Sequence, residues 1–140
     1  MHKITLPFVL FAAFSLTAEA GPAEDARAHF DAIGAGQVDA IMGQYAPHAT
    51  FQWVGGPLDG AYVGADPIRD VWSRFSRNAP YTVTVARLEE SANDRGATIT
   101  ANVQFQGKTT VKVRYVLVYR DGKLVNEVWQ VDPQLAIGGY

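Results

Sequence analysis

The chain has 140 residues, of which 48% are hydrophobic and 19% charged, with a formal net charge of -2 and a sequence pI near 5.8. This length and composition are typical of one globular domain that can bury a substantial core. The slight negative charge provides no electrostatic footprint for nucleic acid or an anionic membrane surface, so neither partner is expected. The sequence contains no cysteine, which excludes disulfides and thiolate metal sites.

Residues 1–20 have the pattern of a secretory signal peptide. A short basic start precedes an apolar run over residues 4–16, and Ala18 and Ala20 provide the small residues of a cleavage site. The alternative is an uncleaved anchor, but the apolar run is shorter than the ~20 residues needed to cross a bilayer. The sequence therefore predicts cleavage after Ala20, no stable membrane anchor, and a mature domain of residues 21–140 that is periplasmic or secreted.

Helices are predicted in the N-terminal half of the mature chain, because apolar residues recur there at spacings of three and four. They cover residues 22–33, 38–45 and 66–77. The first has an inward face that includes His29 and Phe30. Pro47 follows the second helix and is expected to end it. Asp66 and Pro67 begin the third as cap and first helical residue.

The period of the sequence changes to two from Pro80 onward. Four long strands rich in Val, Thr, Tyr and Phe are predicted, over residues 81–89, 97–106, 109–120 and 124–131. Two shorter strands precede them, over residues 50–54 and 61–63. The connections between the long strands are too short for parallel crossovers and require antiparallel hairpins. Helices followed by a strand meander predict an α+β fold with the helices on one face of the sheet.

Three segments carry a resemblance to a known family. They are GQVDA at residues 36–40, YAPHATF at residues 45–51, and residues 60–72. In this order they resemble the SnoaL-like branch of the nuclear transport factor 2-like superfamily, and the similarity extends over residues 23–133. The resemblance implies a single domain over residues 21–140, shaped as a cone in which three N-terminal helices pack on a strongly curved, mainly antiparallel mixed β-sheet. The open end of the cone is then a ligand pocket.

The resemblance implies no single activity, since this superfamily includes isomerases, cyclases, hydrolases, dehydratases and non-catalytic binders. The ketosteroid isomerases carry a base Asp, an oxyanion-binding Asp and a Tyr donor, whereas this chain has Trp53, Tyr115 and His29 at those places. The related epoxide hydrolases need an Arg between two Asp residues, and the last-strand Asp position holds Trp129. Neither mechanism is therefore expected here.

Strand alternation indicates which side chains face the pocket. On the fifth strand, Tyr115 lies on the more aromatic face, which is the expected interior. On the last strand, alternation places Glu127 and Trp129 on one face and Leu124 and Val128 on the other, and the pattern leaves both orientations open. The resemblance directs Glu127 and Trp129 toward the pocket.

Our candidate catalytic residues are Glu127, His29 and Tyr115. A carboxylate on an inward face loses its hydration and can act as a base, and histidine is suited to proton transfer near neutral pH. Tyr115 can donate a hydrogen bond to a ligand oxygen. We therefore expect Glu127 and His29 to form an acid/base pair. The alternatives are a glutamate paired with Arg114 or Lys112 at an edge or interface, and a core histidine bonded to the backbone.

Aromatic side chains are predicted to line the pocket as ligand-binding walls, or else to fill it. They are Phe51, Trp53, Trp72, Phe75 and Trp129. The histidines show no spacing typical of metal ligands, so no metal and no cofactor are expected. An apolar cavity with few polar groups is the general form of a small-molecule site.

Three functions remain open from the sequence, two that concern the pocket and a third in which the chain is a subunit of a larger assembly and uses the outward face of the sheet as an interface. The first is a binder of a small apolar or aromatic molecule with oxygen functions, with cofactor-free isomerase, cyclase or lyase chemistry through Glu127 and His29. The second is a non-catalytic binding or protein-interaction module whose pocket is filled by aromatic rings. The predicted outer sheet face carries apolar residues, namely Val116, Val118, Leu124 and Val128. That face predicts a homodimer in either case.

Overall fold

The computed structural model describes residues 21–138, together with Lys3, Thr5 and Pro7. Apart from those three, the predicted signal peptide lies outside the described residues. In chain order the elements are α1 (Pro22–Ala35), α2 (Val38–Met42), β1 (Tyr45–Val54), β2 (Gly60–Val63), α3 (Ala65–Ser76), β3 (Thr82–Asn93), β4 (Gly96–Gln106), β5 (Thr110–Arg120) and β6 (Lys123–Val131). The predicted α+β class is confirmed.

Helix α1 begins and ends for reasons that are visible in the sequence. Pro22 occupies the first turn, where no backbone N–H partner is required, and the carboxylate of Glu24 accepts a hydrogen bond from the N–H of Gly21. The helix ends at Gly36, whose φ of +69° lies in the left-handed region that glycine favours. The face that contains His29 is buried against the sheet, as predicted.

Helix α2 is shorter than predicted, and the chain after it is extended. Tyr45 is the first residue of β1 rather than the last turn of the helix, and Pro47 lies inside the strand. Between the pairs Tyr45↔Leu124 and Thr50↔Asn126, five steps along β1 correspond to two along β6. Proline is tolerated at such an irregularity because the ladder there requires no N–H from it. The predicted helix to residue 45 and strand start at residue 50 are therefore wrong.

The six strands form one sheet in the order β2-β1-β6-β5-β4-β3. Neighbouring strands are antiparallel, except that β1 and β6 run parallel. Strands β2 and β3 are the two edges, so the sheet is not closed into a barrel. Helix α1 packs on β3 and β4, and α3 on β1 and β2. Register shifts in three of the strand pairs bend the sheet around the helices, which confirms the predicted curved, mixed sheet.

A bulge in β6 decides which of its side chains face inward. Beyond Val118 the register between β5 and β6 shifts by one residue, and Val125 is the extra residue of β6. A one-residue shift reverses the alternation of faces. Leu124 is consequently buried at 0% exposure, so the prediction that it lies on the outer face is wrong. Glu127 and Trp129 lie past the bulge and are buried on the inner face, as the family resemblance implied.

Candidate functional site

Glu127 lies in the middle of the sheet, on the face that the helices cover. Its strand, β6, runs between β1 and β5, where Glu127 is in register with Phe51 and Leu117. The exposed fraction of Glu127 is 0%. Water does not hydrate a carboxylate at such a position, so its oxygen atoms depend on hydrogen bonds from the protein.

Three side chains from three different elements supply those hydrogen bonds. His29 of α1 places its Nε2 atom 2.7 Å from Oε2 of Glu127. The hydroxyl of Tyr115 in β5 donates to the same oxygen, and the hydroxyl of Tyr45 in β1 donates to Oε1. All four side chains are buried. We call Glu127, His29, Tyr45 and Tyr115 the carboxylate cluster.

The direction of the hydrogen bond from Tyr45 to Glu127 is fixed by chemistry. The indole Nε1 of Trp72 lies 2.8 Å from the Tyr45 hydroxyl oxygen and can only donate to it. The Tyr45 proton is therefore directed to Glu127. Burial and, after it, the neighbouring Glu127 raise the pKa of Tyr45 and of Tyr115 well above the usual value of 10.0. Both hydroxyls stay protonated near neutral pH and act as donors.

The cluster contains the groups of a proton relay, with a carboxylate that accepts and an imidazole that transfers a proton. Glu127 and His29 meet within hydrogen-bond distance, as the acid/base hypothesis requires. The alternative partners Lys112 and Arg114 do not hydrogen-bond to Glu127 in the described chain, where β5 turns Tyr115 inward instead. The geometry fits the predicted pair, and its catalytic role stays a prediction.

Two buried nitrogens, one within the cluster and one in a neighbouring ring, are without hydrogen-bond partners among the described residues. They are Nδ1 of His29 and Nε1 of Trp129. An unpaired polar group in a protein interior costs about 1–3 kcal/mol. A ligand that reached these nitrogens with a suitable polar group would recover part of that cost.

Aromatic rings fill the interior between the carboxylate cluster and the open end of the cone. We call them the aromatic layer: Phe51, Trp53, Trp72, Phe75 and Trp129, all of which are buried. Trp53 and Trp129 stack with ring centroids 4.5 Å apart. The ring of Trp72 lies edge-on to His29, with centroids 6.2 Å apart, and packs against Trp53, with centroids 5.6 Å apart. The layer therefore separates the cluster from the surface.

A cavity of about 460 Å³ lies on the outer side of this layer, and we call it the mouth cavity. It is lined by Trp53, Gly56, Pro57, Leu58, Arg74, Phe75, Arg77, Asn78, Tyr81, Thr109, Val111 and Val131. No member of the carboxylate cluster lines it. Smaller cavities of about 270–380 Å³ lie around the β3–β4 turn and beside the start of β5 and the end of β6. The mouth cavity adjoins the predicted site through Trp53 and Phe75.

The structure sorts the predicted site residues into three positions. Glu127, His29 and Tyr115 come together in the carboxylate cluster. Trp53 and Phe75 line the mouth cavity and also contact Trp129, a deeper ring of the aromatic layer. The remaining aromatic residues lie deeper and do not line the cavity, namely Phe51, Trp72 and Trp129. The ligand-binding role assigned to all five stays a prediction.

Sequence reasoning missed Tyr45, which contributes one of the three hydrogen bonds to Glu127. The helical interpretation of residues 38–45 hid it. A signal was present, since Tyr45, Phe51 and Trp53 occupy odd positions, as alternating strand residues do, and all are buried. Arg77 and Tyr81 of the mouth cavity were also missed, because they lie around a connection that has no periodicity.

Within the described residues, no group of three His, Asp or Glu side chains converges in a way that could hold a metal ion. The same part of the chain has no helix whose length and apolar character would allow it to cross a membrane. The expectation that the protein works without a cofactor stays a prediction.

A family model described as a SnoaL-like domain matches residues 26–127 of the chain. Among curated proteins, none matches the chain in sequence. Solved structures do resemble it. The epoxide hydrolase/cyclase-like enzyme SalBIII of salinomycin pyran ring formation is 18% identical with a TM-score of 0.58, over 79% of this chain and 89% of that chain.

Two further structures widen the comparison. A hypothetical protein with a ketosteroid isomerase-like fold from Catenulispora acidiphila, solved with trimethylamine, is 16% identical with a TM-score of 0.59, over 79% of this chain and 85% of that chain. A candidate calcium/calmodulin-dependent protein kinase II association domain from Xanthomonas campestris is 19% identical with a TM-score of 0.62, over 83% and 91%. At these identities the similarity establishes a shared fold.

Proposed function

We propose that this chain, which belongs to the SnoaL-like domain family, binds a small apolar or aromatic molecule with oxygen functions in its mouth cavity. The observation that carries the proposal is the cavity itself, about 460 Å³ in volume with aromatic walls from Trp53, Phe75 and Tyr81. Small-molecule sites have volumes of about 300–1,000 Å³ and are mostly apolar with a few polar groups. Asn78 and Thr109 offer such groups for ligand oxygens.

Blocking the cavity tests this proposal. Thr109 is exposed at the rim, so Thr109→Trp places an indole over the opening without disturbing the core. Thr84→Trp, at an exposed position of β3 away from the cavity, is the matched control. We expect isothermal titration with naphthalene-2-carboxamide to show binding to the wild type and the control, and at least tenfold weaker binding to the rim variant. Equal binding by both variants would place the ligand elsewhere.

Catalysis is the second candidate function, and the 2.7 Å contact between His29 and Glu127 favours it. In a cofactor-free isomerase, cyclase or lyase reaction, Glu127 would accept a proton from substrate carbon and His29 would return it. Tyr115 would donate to the developing oxyanion. The substrate would first have to displace the stacked rings of Trp53 and Trp129.

Turnover measurements test the catalytic candidate on any substrate found among bound ligands. Glu127→Gln keeps the shape of the side chain and removes the base, so turnover should fall by at least a hundredfold. Tyr115→Phe should lower kcat more than it changes ligand affinity. Unchanged turnover in the Glu127→Gln protein would end the assignment of Glu127 as a base.

A non-catalytic interaction module remains the rival, and the packed aromatic layer favours it, because the rings of Trp53 and Trp129 fill the inside of the cone. One structural neighbour with the same fold is a candidate calcium/calmodulin-dependent protein kinase II association domain. In this case the carboxylate cluster serves the fold alone. Absence of ligand binding in the mouth cavity, together with binding of a protein partner that a blocked cavity does not weaken, would support the rival.

We also propose that the protein is exported and that Gly21 is the mature N-terminus. The first helix begins at Pro22, so cleavage after Ala20 removes none of the described secondary structure. Expression of the full chain in a bacterial host, followed by mass spectrometry of the periplasmic fraction, tests this. A product that keeps residues 1–20 and stays in the cytoplasm would contradict it.

A homodimer through the outer sheet face is the last part of the proposal. Val116 and Val128 are paired across β5 and β6 on that face, and Val118 lies two residues along. These three side chains are only partly exposed, and they form an apolar patch that a second copy can cover. Sedimentation should show a dimer that Val116→Glu converts to a monomer. A wild-type monomer at micromolar concentration would contradict the dimer.

A further inference from the structure

We propose that the mouth cavity selects an anionic ligand, a small aromatic or apolar molecule with one carboxylate, and that Arg77 is the residue that holds the carboxylate. This inference rests on the proposed function and adds the charge of the ligand to it. The cavity lining contains Arg74 and Arg77 and no acidic residue. The cavity is therefore locally positive in a protein whose formal net charge is -2.

The two arginines differ in how far they are already occupied. Arg74 forms an ion pair with Asp70 one turn earlier in α3, with an N–O distance of 3.2 Å. Arg77 forms no ion pair and its side chain makes no hydrogen bond in the described part of the chain. Of the two cations at the cavity, only Arg77 is available to a ligand without the loss of an existing contact.

The Arg77 side chain is not needed to cap the C-terminal end of α3. The last carbonyl groups of the helix attract cations when nothing else satisfies them. Here the backbone N–H groups after the helix already donate to the carbonyls of Arg74, Phe75 and Ser76. The Tyr81 hydroxyl donates to the Phe75 carbonyl as well, at 3.1 Å. The guanidinium is therefore not required at the helix end.

The aromatic walls define the rest of the ligand. Phe75 and Tyr81 stack with centroids 4.7 Å apart and an interplanar angle of 7°, and both rings border the cavity beside Trp53. The Tyr81 hydroxyl is engaged with the backbone, so this residue offers the ligand its ring and not a competing oxygen. Arg77 lines the same cavity as these rings, so a planar aromatic body that packs against them can present an attached carboxylate to the guanidinium, which binds carboxylates with two parallel N–H donors.

The expected preference is moderate, because the cavity is open to solvent and water screens the ion pair. Exposed ion pairs contribute little, and geometry with two hydrogen bonds raises that contribution, so we expect about a five- to tenfold tighter Kd for an anion than for a neutral analogue.

The test compares naphthalene-2-carboxylate with naphthalene-2-carboxamide, which have the same shape and differ in charge. Both are titrated by calorimetry into the wild type and into Arg77→Gln, Arg77→Lys and Arg27→Gln, the last an exposed control on α1. We expect the carboxylate preference to vanish in Arg77→Gln, to persist in part in Arg77→Lys, and to be unchanged in the control. Added salt should weaken carboxylate binding alone.

The outcomes separate this inference from the proposed function. Equal affinity of both probes for the wild type overturns the anionic ligand and leaves a neutral ligand in the cavity. A preference that survives Arg77→Gln overturns the role of Arg77. If neither probe binds, the inference and the proposed function both fail. A preference that depends on Arg77 supports both.

Discussion

The carboxylate cluster and the mouth cavity lie on the same inner side of the sheet, but they differ in how their charged groups are paired. Glu127 receives hydrogen bonds from His29, Tyr45 and Tyr115 and is shielded from water. At the cavity, Arg77 remains exposed and unengaged within the described chain. Hydrogen bonds to a buried charge hold its partners in place, whereas a charge left free is available to a ligand.

The aromatic layer keeps these two regions apart. Trp53 illustrates the division, since one side of its ring borders the cavity and the other stacks on Trp129 at 4.5 Å. A ligand in the cavity contacts the layer and not the carboxylate. Binding therefore needs only the cavity, and catalysis needs the layer to move as well.

Removal of the Glu127 carboxylate should have the largest effect on the free energy of unfolding. Glu127→Ala leaves three buried donors without their acceptor, and we expect the free energy of unfolding to fall by about 3–5 kcal/mol. Urea unfolding followed by circular dichroism measures this. Glu89→Ala, at an exposed position of β3, should change it by less than about 0.5 kcal/mol. Similar values for the two variants would show that the cluster does not stabilise the fold.

Substitution of Tyr45 should lower the free energy of unfolding more than substitution of Tyr115. Tyr115→Phe removes one hydrogen bond to Glu127, and we expect a loss of about 1.5–2 kcal/mol in unfolding free energy. Tyr45→Phe removes one such bond and also leaves the Trp72 indole N–H without its acceptor, so it should cost about 1 kcal/mol more. The same urea experiment decides the order. A larger loss for Tyr115→Phe would mean that the Trp72 contact contributes little.

Alkaline pH should also weaken the interior. The pKa values of Tyr45 and Tyr115 are raised in the folded protein, first by burial and then by Glu127. A tyrosine whose pKa is higher in the folded than in the unfolded chain contributes stability at pH values below 10.0, its usual pKa. That contribution is lost as the pH rises further, because the unfolded chain then releases protons that the folded protein retains. Unfolding free energy should therefore decrease above about pH 10, with a slope of about one proton per tyrosine.

Tyr115→Phe is the control for this pH dependence. The variant should lose about one proton from the alkaline slope and match the wild-type slope between pH 7 and 9. An unchanged slope above pH 10 would mean that Tyr115 ionises in the folded protein as it does in the unfolded chain.

Substitution at the cavity should have the smallest effect on stability. Arg77→Gln removes an exposed cation with no side-chain partner in the described chain, and we expect a change of less than about 0.5 kcal/mol in unfolding free energy. The same variant should abolish the preference for an anionic probe. A stability loss above 1 kcal/mol would show that Arg77 supports the fold, and the contrast with the cluster would weaken.

Local signals in the sequence are enough to predict the class of the fold and most of its elements. Period-two strands with short connections lead to antiparallel pairing, and helix start and stop signals such as Pro22 and Gly36 are local, so they act before any tertiary contact exists. The inward face of α1 with His29, and of β5 with Tyr115, followed from the same periodicities. Signals of this kind depend only on neighbouring residues and can be identified from the sequence.

The arrangement of the site depends on long-range contacts that local signals do not encode. The bulge at Val125, which turns Leu124 inward, depends on the pairing of β6 with β5. The extension of β1 back to Tyr45 depends on its parallel pairing with β6. Hydrogen bonds to Glu127 span from 12 to 98 residues of sequence, and the separation of cluster from cavity depends on rings from three elements. Such contacts leave no periodic trace, because they exist only once the sheet has curved around the helices.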